Sequence, residues 1–270
     1  MEEQRCYEDP MSDILKLCTL PFLCERASDE SSYEQISTEA VSQLGYLMRV
    51  PSSEVRVQIC RSIRGFYDGK PAVGEVQHFK PASPEYNRHV VEQSDVSETL
   101  VKSLALLDTE MEVLMEVLEV LMHLSTNSPK NCKRMLDANA AYRICLRIND
   151  PEPIGSNGVP LRTKGIFFMS VEILWNLLEY GGVDAVAEQL SNVESITQLK
   201  DAFGHQLLQG FSHYDRQLRN DLLVLTTLVA EGSPKAPFVE TGFAKQLVTF
   251  AIFQVSTFRL RGVNWTIADS

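Results

Sequence analysis

The residues of this chain that could carry acid–base chemistry are its histidines, with the acids and phenols beside them. The densest group of this kind is His213-Tyr214-Asp215, which Ser212 precedes. Serine is a favourable helix cap, and the helix dipole favours an acid in the first turn. We therefore interpret this group as the beginning of a helix, in which Tyr214 packs, and not as a catalytic site.

The sequence also lacks the common motifs for metal binding and catalysis. The five histidines, at positions 78, 89, 123, 205 and 213, are never paired at ligand spacing, and zinc sites need three or four ligands. No Gly-x-Ser-x-Gly elbow, His-Glu-x-x-His motif or Gly-x-x-x-x-Gly-Lys-Ser/Thr phosphate loop is present. In Asp68-Gly69-Lys70-Pro71, the proline blocks the helix that a phosphate loop requires. We expect no enzymatic activity, no metal and no cofactor.

Charge and cysteine pattern exclude further classes of function. The formal net charge is −11, with 25 basic and 36 acidic residues, whereas sequence-independent nucleic-acid binding relies on a basic surface. No cysteine pair has Cys-x-x-Cys spacing, which indicates reduced, intracellular thiols. The N-terminus is polar and no apolar run approaches about 18 residues, so neither a secretory signal nor a membrane span is expected. We expect a cytoplasmic protein that binds proteins, and neither nucleic acid, membrane nor a small-molecule substrate.

A helical pattern ending at a breaker organises the chain. In the stretch 221–230 the apolar residues lie at offsets of 0, 2, 3 and 6, a stripe wide enough to be packed from two sides. The four copies of this pattern are Val57, Ile59, Cys60 and Ile63; Leu118, Val120, Leu121 and Leu124; Val171, Ile173, Leu174 and Leu177; and Leu222, Val224, Leu225 and Leu228. Copies recurring at intervals of about 50 to 60 residues indicate a stacked helical repeat.

The rest of the chain is consistent with helices alone. About a dozen are predicted, joined by short turns, and no stretch shows convincing strand alternation. Loops rich in proline and glycine are predicted near 68–84 and 150–163, and residues 255–270 do not continue the helical pattern. We predict a single all-α domain over 1–270, a right-handed α-solenoid of armadillo/HEAT-like repeats.

Several stretches resemble known sequences. Ile173-Leu174-Trp175-Asn176-Leu177-Leu178 resembles the third helix of an armadillo repeat. Longer stretches resemble a family of armadillo-type cilia- and flagella-associated proteins of motile axonemes: residues 51–60, 172–179, 189–192, 210–221 and 242–245. The resemblance covers about Ile14 to Phe253; residues 155–169 and 255–270 depart from it, and the family's solenoid is considerably longer. It implies a non-catalytic scaffold in cilia and sperm flagella, at the central apparatus of the axoneme.

The resemblance also indicates where a partner would bind. In an armadillo stack the third helices line a concave groove, and Trp-Asn pairs there hold extended peptides in the nuclear import adaptors. Here the pair is Trp175-Asn176, but the equivalents of Asn176 are Ser62, His123 and Thr227, so no asparagine ladder exists. This argues against nuclear import. The candidate partner-binding residues are Arg61, His123, Trp175, Asn176 and Thr227, and the alternative is that Trp175 packs between helices.

Two functions remain open from the sequence. The first is the axonemal scaffold, and the second is a soluble armadillo-type adaptor that binds peptide segments of partner proteins outside cilia. Localisation to the axoneme or to the cytoplasm at large distinguishes them.

Overall fold

Twelve α-helices form the regular structure of the residues that this computed structural model describes, namely 38–68, 84–107, 109–151, 153, 165–209 and 213–260. No strand occurs in these ranges. The helices are α1 (Thr38–Tyr46), α2 (Ser53–Asp68), α3 (Pro84–Gln93), α4 (Val96–Ser103), α5 (Met111–Ser125), α6 (Pro129–Asp137), α7 (Ala140–Cys145), α8 (Ile166–Asn176), α9 (Val183–Leu190), α10 (Val193–Gln209), α11 (His213–Gly232) and α12 (Phe243–Leu260).

The helices recur in groups of three. Helices α3 to α5, α6 to α8 and α9 to α11 each comprise a first, a second and a third helix, while α1 and α2 are the second and third helices of an earlier group. Each third helix packs on the next, so that α2 contacts α5, α5 contacts α8 and α8 contacts α11. The predicted all-α stack of repeats is confirmed.

The apolar stripes of the third helices form the core. All twelve stripe residues of α2, α5 and α8 are buried. In α11 the equivalent stripe is only partly covered, because Leu222 and Leu225 are buried whereas Val224 is 44% exposed. The expectation that this stripe is packed from two sides is therefore wrong for Val224. In the described structure, α11 is the last third helix, and none follows to cover it.

Asparagines of the first helices join successive repeats. The side-chain amide of Asn87 in α3 donates to the carbonyl of Phe66 in α2 at 2.9 Å, and that of Asn131 in α6 donates to the carbonyl of Leu124 in α5 at 3.0 Å. The last carbonyls of a helix have no partner within the helix. The two bonds thus satisfy the end of a third helix and position the first helix of the next repeat.

The boundaries of α8 and α12 depend on their breakers. Helix α8 closes in a π turn, Leu177–Gly181, followed by Gly182 with φ of 118°. A Cβ at Gly181 would lie 2.5 Å from Cδ1 of Leu136, so any larger residue there would require the Leu136 side chain to shift. The expectation that residues 255–270 do not continue the helical pattern is wrong for residues 255–260. Helix α12 continues to Leu260, since no glycine or proline interrupts it before Gly262. The predicted loops lie almost wholly outside the described residues, as does the remainder of the predicted tail.

Candidate protein-binding face

The surface formed by α2, α5, α8 and α11, here called the third-helix face, carries polar bonds between neighbouring helices. Between α2 and α5 these bonds are ionic. Arg61 Nε lies 3.1 Å from Glu116 Oε1, and Arg64 Nη1 lies 2.6 Å from Glu119 Oε1. His123 Nδ1 lies 3.5 Å from Asp68 Oδ2. Two helices packed side by side are therefore linked by three successive polar contacts, here called rungs, of which two are ion pairs and the third joins an imidazole to a carboxylate.

The register of the rungs follows from the sequence of both helices. Arg61, Arg64 and Asp68 have the same spacing along α2 as Glu116, Glu119 and His123 have along α5. Residues three and four apart lie on one face of a helix, so two parallel helices in register bring each pair together. The side chain of Glu116 is 1% exposed, with Arg64 Nη1 also 3.8 Å from it. A fourth ion pair, between Arg56 and Glu110, lies nearer the beginnings of the helices.

Between α5 and α8 the bonds are neutral. The amide of Asn176 donates to Ser125 Oγ at 3.0 Å, and the hydroxyl of Tyr180 donates to Asn127 Oδ1 at 2.7 Å. The thiol of Cys132 donates to the carbonyl of Asn176 at 3.6 Å. Asn176 itself is 5% exposed. Its amide therefore joins α8 to α5 within the stack.

The other candidate residues differ in their surroundings. Arg61 and His123 take part in the ionic rungs, Trp175 is half-buried on α8, and Thr227 is exposed on α11 with its hydroxyl bonded to the carbonyl of Leu223 at 2.9 Å. Partner binding at these positions stays a prediction. Sequence reasoning missed the acids that bond to Arg61 and His123. The matching offsets of opposite charge in α2 and α5 were a signal that could have found them.

A cavity lies beside the last of the ionic rungs, where α2, α3, α5 and α8 meet. We call it the acidic socket; its volume is about 340 Å³, and its lining is Tyr67, Asp68, Arg88, Glu92, Met122, His123, Thr126, Asn127, Phe168 and Glu172. It contains three carboxylates, one guanidinium and one imidazole. Sequence patterns do not predict this cavity, because its walls come from four separate helices.

The described residues show little reactive chemistry. Burial raises the pKa of the Cys132 and Cys145 thiols to about 12 and also raises the pKa of Cys60, so these thiols stay protonated and are poor nucleophiles. Within the described ranges, no group of three or more His, Cys, Asp and Glu side chains could hold a metal ion. No described helix is both long enough and apolar enough to cross a membrane.

Three-helix repeats whose third helices pack on one another define an armadillo-type repeat protein. Among solved structures, the fold is similar to a designed armadillo repeat protein in complex with peptide (KR)4 (TM-score 0.42, 13% identity, 81% of this chain and 93% of that chain). It is also similar to an engineered protein (TM-score 0.41, 16% identity, 82% and 98%). The family model "Cilia- and flagella-associated protein 69, ARM repeat" matches residues 1–259, and the chain belongs to this family.

Two curated relatives show the extent of the similarity. The chain is 43% identical over 253 residues to cilia- and flagella-associated protein 69 of Papio anubis, covering 94% of this chain and 26% of the relative. It is 44% identical over 241 residues to that of Homo sapiens, covering 89% and 24%. The chain thus spans about a quarter of the length of these relatives.

Proposed function

We propose that this chain is a non-catalytic protein-interaction scaffold of the axoneme in motile cilia and sperm flagella, with partners in the central apparatus. The observation that carries the proposal is the family match over residues 1–259. The relatives carry the name of cilia- and flagella-associated proteins.

The third-helix face supports the binding role because it joins an accessible aromatic side chain to a rigid polar framework. Trp175 is half-buried, and tryptophan gives large contact areas at protein interfaces. The rungs on either side hold α2, α5 and α8 in fixed register, so a partner meets a preorganised surface. We place the partner contact at Trp175, His123, Arg61 and Thr227, with Asn176 positioning α8.

The test is a fusion of the chain to a biotin ligase, expressed in multiciliated cells. We expect the fusion to localise to axonemes and to label central-apparatus proteins. Trp175→Ala is expected to lower this labelling several-fold while the melting temperature stays near that of the unchanged chain. The matched control is Val193→Ala, which truncates an exposed apolar side chain of α10, away from the third-helix face.

Diffuse cytoplasmic labelling without axonemal enrichment would refute the axonemal scaffold and favour the adaptor outside cilia. Equal labelling by the Trp175→Ala variant and its control would show that the partner does not bind at Trp175.

A further inference from the structure

The acidic socket has an excess of negative charge. Asp68, Glu92 and Glu172 contribute three carboxylates, and Arg88 contributes one positive charge, which lies over the ring of Tyr67 with its Cζ 5.6 Å from the ring centroid. Asp68 faces His123, and Glu92 accepts a hydrogen bond from Ser128 at 2.7 Å. Lys130, outside the lining, lies with its Nζ 3.7 Å from Glu92 Oε2. With a neutral imidazole, the lining itself carries a net charge of about −2, and the Lys130 charge beside Glu92 reduces the local excess to about −1.

Two groups of the socket lack partners within the described part of the chain. The carboxylate of Glu172 on α8 forms no hydrogen bond or ion pair there, although it is half-buried. Tyr67 is 5% exposed, and its hydroxyl has no hydrogen bond to any described residue. A buried phenol usually finds a hydrogen-bond partner, so this hydroxyl and the neighbouring carboxylate are available to a ligand with donors.

We propose that the acidic socket receives a single basic side chain, arginine or lysine, from a protein that binds the third-helix face. Glu172, Asp68 and the Tyr67 hydroxyl accept hydrogen bonds from its charged end. Met122 and Phe168 contact its alkyl chain. The proposal rests on the proposed function, since it supplies the chemistry of one contact made by that partner.

The size and composition of the cavity favour this occupant over others. A volume of about 340 Å³ lies at the lower end of small-molecule sites and suits one long side chain. The carboxylates and the phenol oxygen accept hydrogen bonds, and arginine and lysine offer only donors. Arg88 already lies over the Tyr67 ring, so the aromatic surface for an incoming guanidinium, which stacks on rings, is Phe168. An acidic side chain would instead meet three carboxylates at close range.

Binding is tested by NMR of the folded chain labelled with ¹³C at methionine methyl groups, with Met122 as the reporter. The probes are Nα-acetyl-arginine amide and Nα-acetyl-lysine amide. Nα-acetyl-citrulline amide has the shape of arginine without its charge, and Nα-acetyl-glutamate amide has the opposite charge. We expect the arginine and lysine probes to shift the Met122 signal saturably, with a dissociation constant of about millimolar size, and the other two to leave it unchanged.

Three variants complete the test. Glu172→Gln and Tyr67→Phe are expected to weaken arginine binding about two- to fivefold, with melting temperatures recorded to show that both remain folded. Glu188→Gln is the matched control, because it removes one exposed charge from α9 outside the socket.

Equal shifts with citrulline, a shift with the glutamate probe, or equal weakening by Glu172→Gln and Glu188→Gln would each overturn the proposal. Axonemal localisation is measured in cells without any probe. A negative result for binding in the acidic socket would therefore not contradict the proposed scaffold function.

Discussion

Glu116 on α5 joins this helix to α2 through a buried carboxylate. Its carboxylate is almost fully buried and faces two guanidinium groups, with Arg61 Nε at 3.1 Å and Arg64 Nη1 at 3.8 Å. A buried charge is stable only when it is paired. Both arginines are partly exposed, so solvent supplies much of their remaining hydration. Loss of the pairing therefore destabilises the buried carboxylate of Glu116 more than it destabilises either arginine.

Glu116→Gln is expected to lower the free energy of unfolding by about 1 to 3 kcal/mol, because the neutral amide loses the charge-assisted bond from Arg61 and the electrostatic attraction to Arg64. Urea denaturation measures the change. Glu112→Gln is the matched control on the same helix; Glu112 is exposed, and its change is expected to stay within about 0.5 kcal/mol. Equal effects of the two substitutions would show that the rung contributes nothing to stability.

Asn176→Ala is expected to destabilise the fold by about 1 to 3 kcal/mol, since it leaves the buried Ser125 hydroxyl without its donor. Thr227→Ala, at an exposed position with only a bond to its own helix, is expected to change stability little. Thermal melting of both variants is the measurement. If the melting temperature of Asn176→Ala equals that of the unchanged chain, the Asn176 amide does not stabilise the stack and is available to bind a partner.

At the scale of helices, the sequence predicted the third helices well because their burial is periodic. Apolar offsets alone predict the four stripes. The rungs were not predicted, because the partners are more than 50 residues apart in sequence and pair only once the register of two helices is known. Val224 occupies the same position in the apolar pattern as residues that are buried in the other third helices. Its exposure was not predicted, because burial at this position depends on a neighbouring helix.

Leu225 and Val224 are adjacent on α11 and differ in burial, at 1% and 44% exposure. Leu225→Asp is expected to abolish cooperative folding, since losing a buried leucine costs about 2 to 5 kcal/mol and burying a charge costs more. Val224→Asp is expected to change the melting temperature by only a few degrees. Circular dichroism during heating distinguishes them, and a cooperative, near-unchanged melt for Leu225→Asp would show the repeat alignment to be wrong.

At the scale of the whole molecule, one end of the stack presents apolar side chains. Besides Val224, α12 exposes Val248 at 59% and Ile252 at 61%. The core side of the same helix is well packed, with the Phe203 and Phe250 rings 5.4 Å apart. A repeat buries its apolar face only against a neighbour, and exposed apolar side chains such as these favour association.

The chain is therefore expected to self-associate at micromolar concentrations, and Val224→Glu combined with Val248→Glu is expected to reduce the association. Sedimentation velocity over a range of concentrations measures it. The matched control is Val193→Glu, which changes an exposed valine of α10. If the chain is a monomer at every concentration, with or without the substitutions, the exposed apolar residues of α11 and α12 do not cause self-association.

The two kinds of rung respond differently when the stack is bent. Attraction between charges falls gradually with separation, and the long arginine side chains of the α2–α5 junction can follow a displacement. The Asn176–Ser125 bond of the α5–α8 junction is lost within about half an ångström of stretching. We therefore expect added salt to weaken the polar contacts of the α2–α5 junction more than those of the α5–α8 junction, so that the two junctions respond unequally when the stack bends.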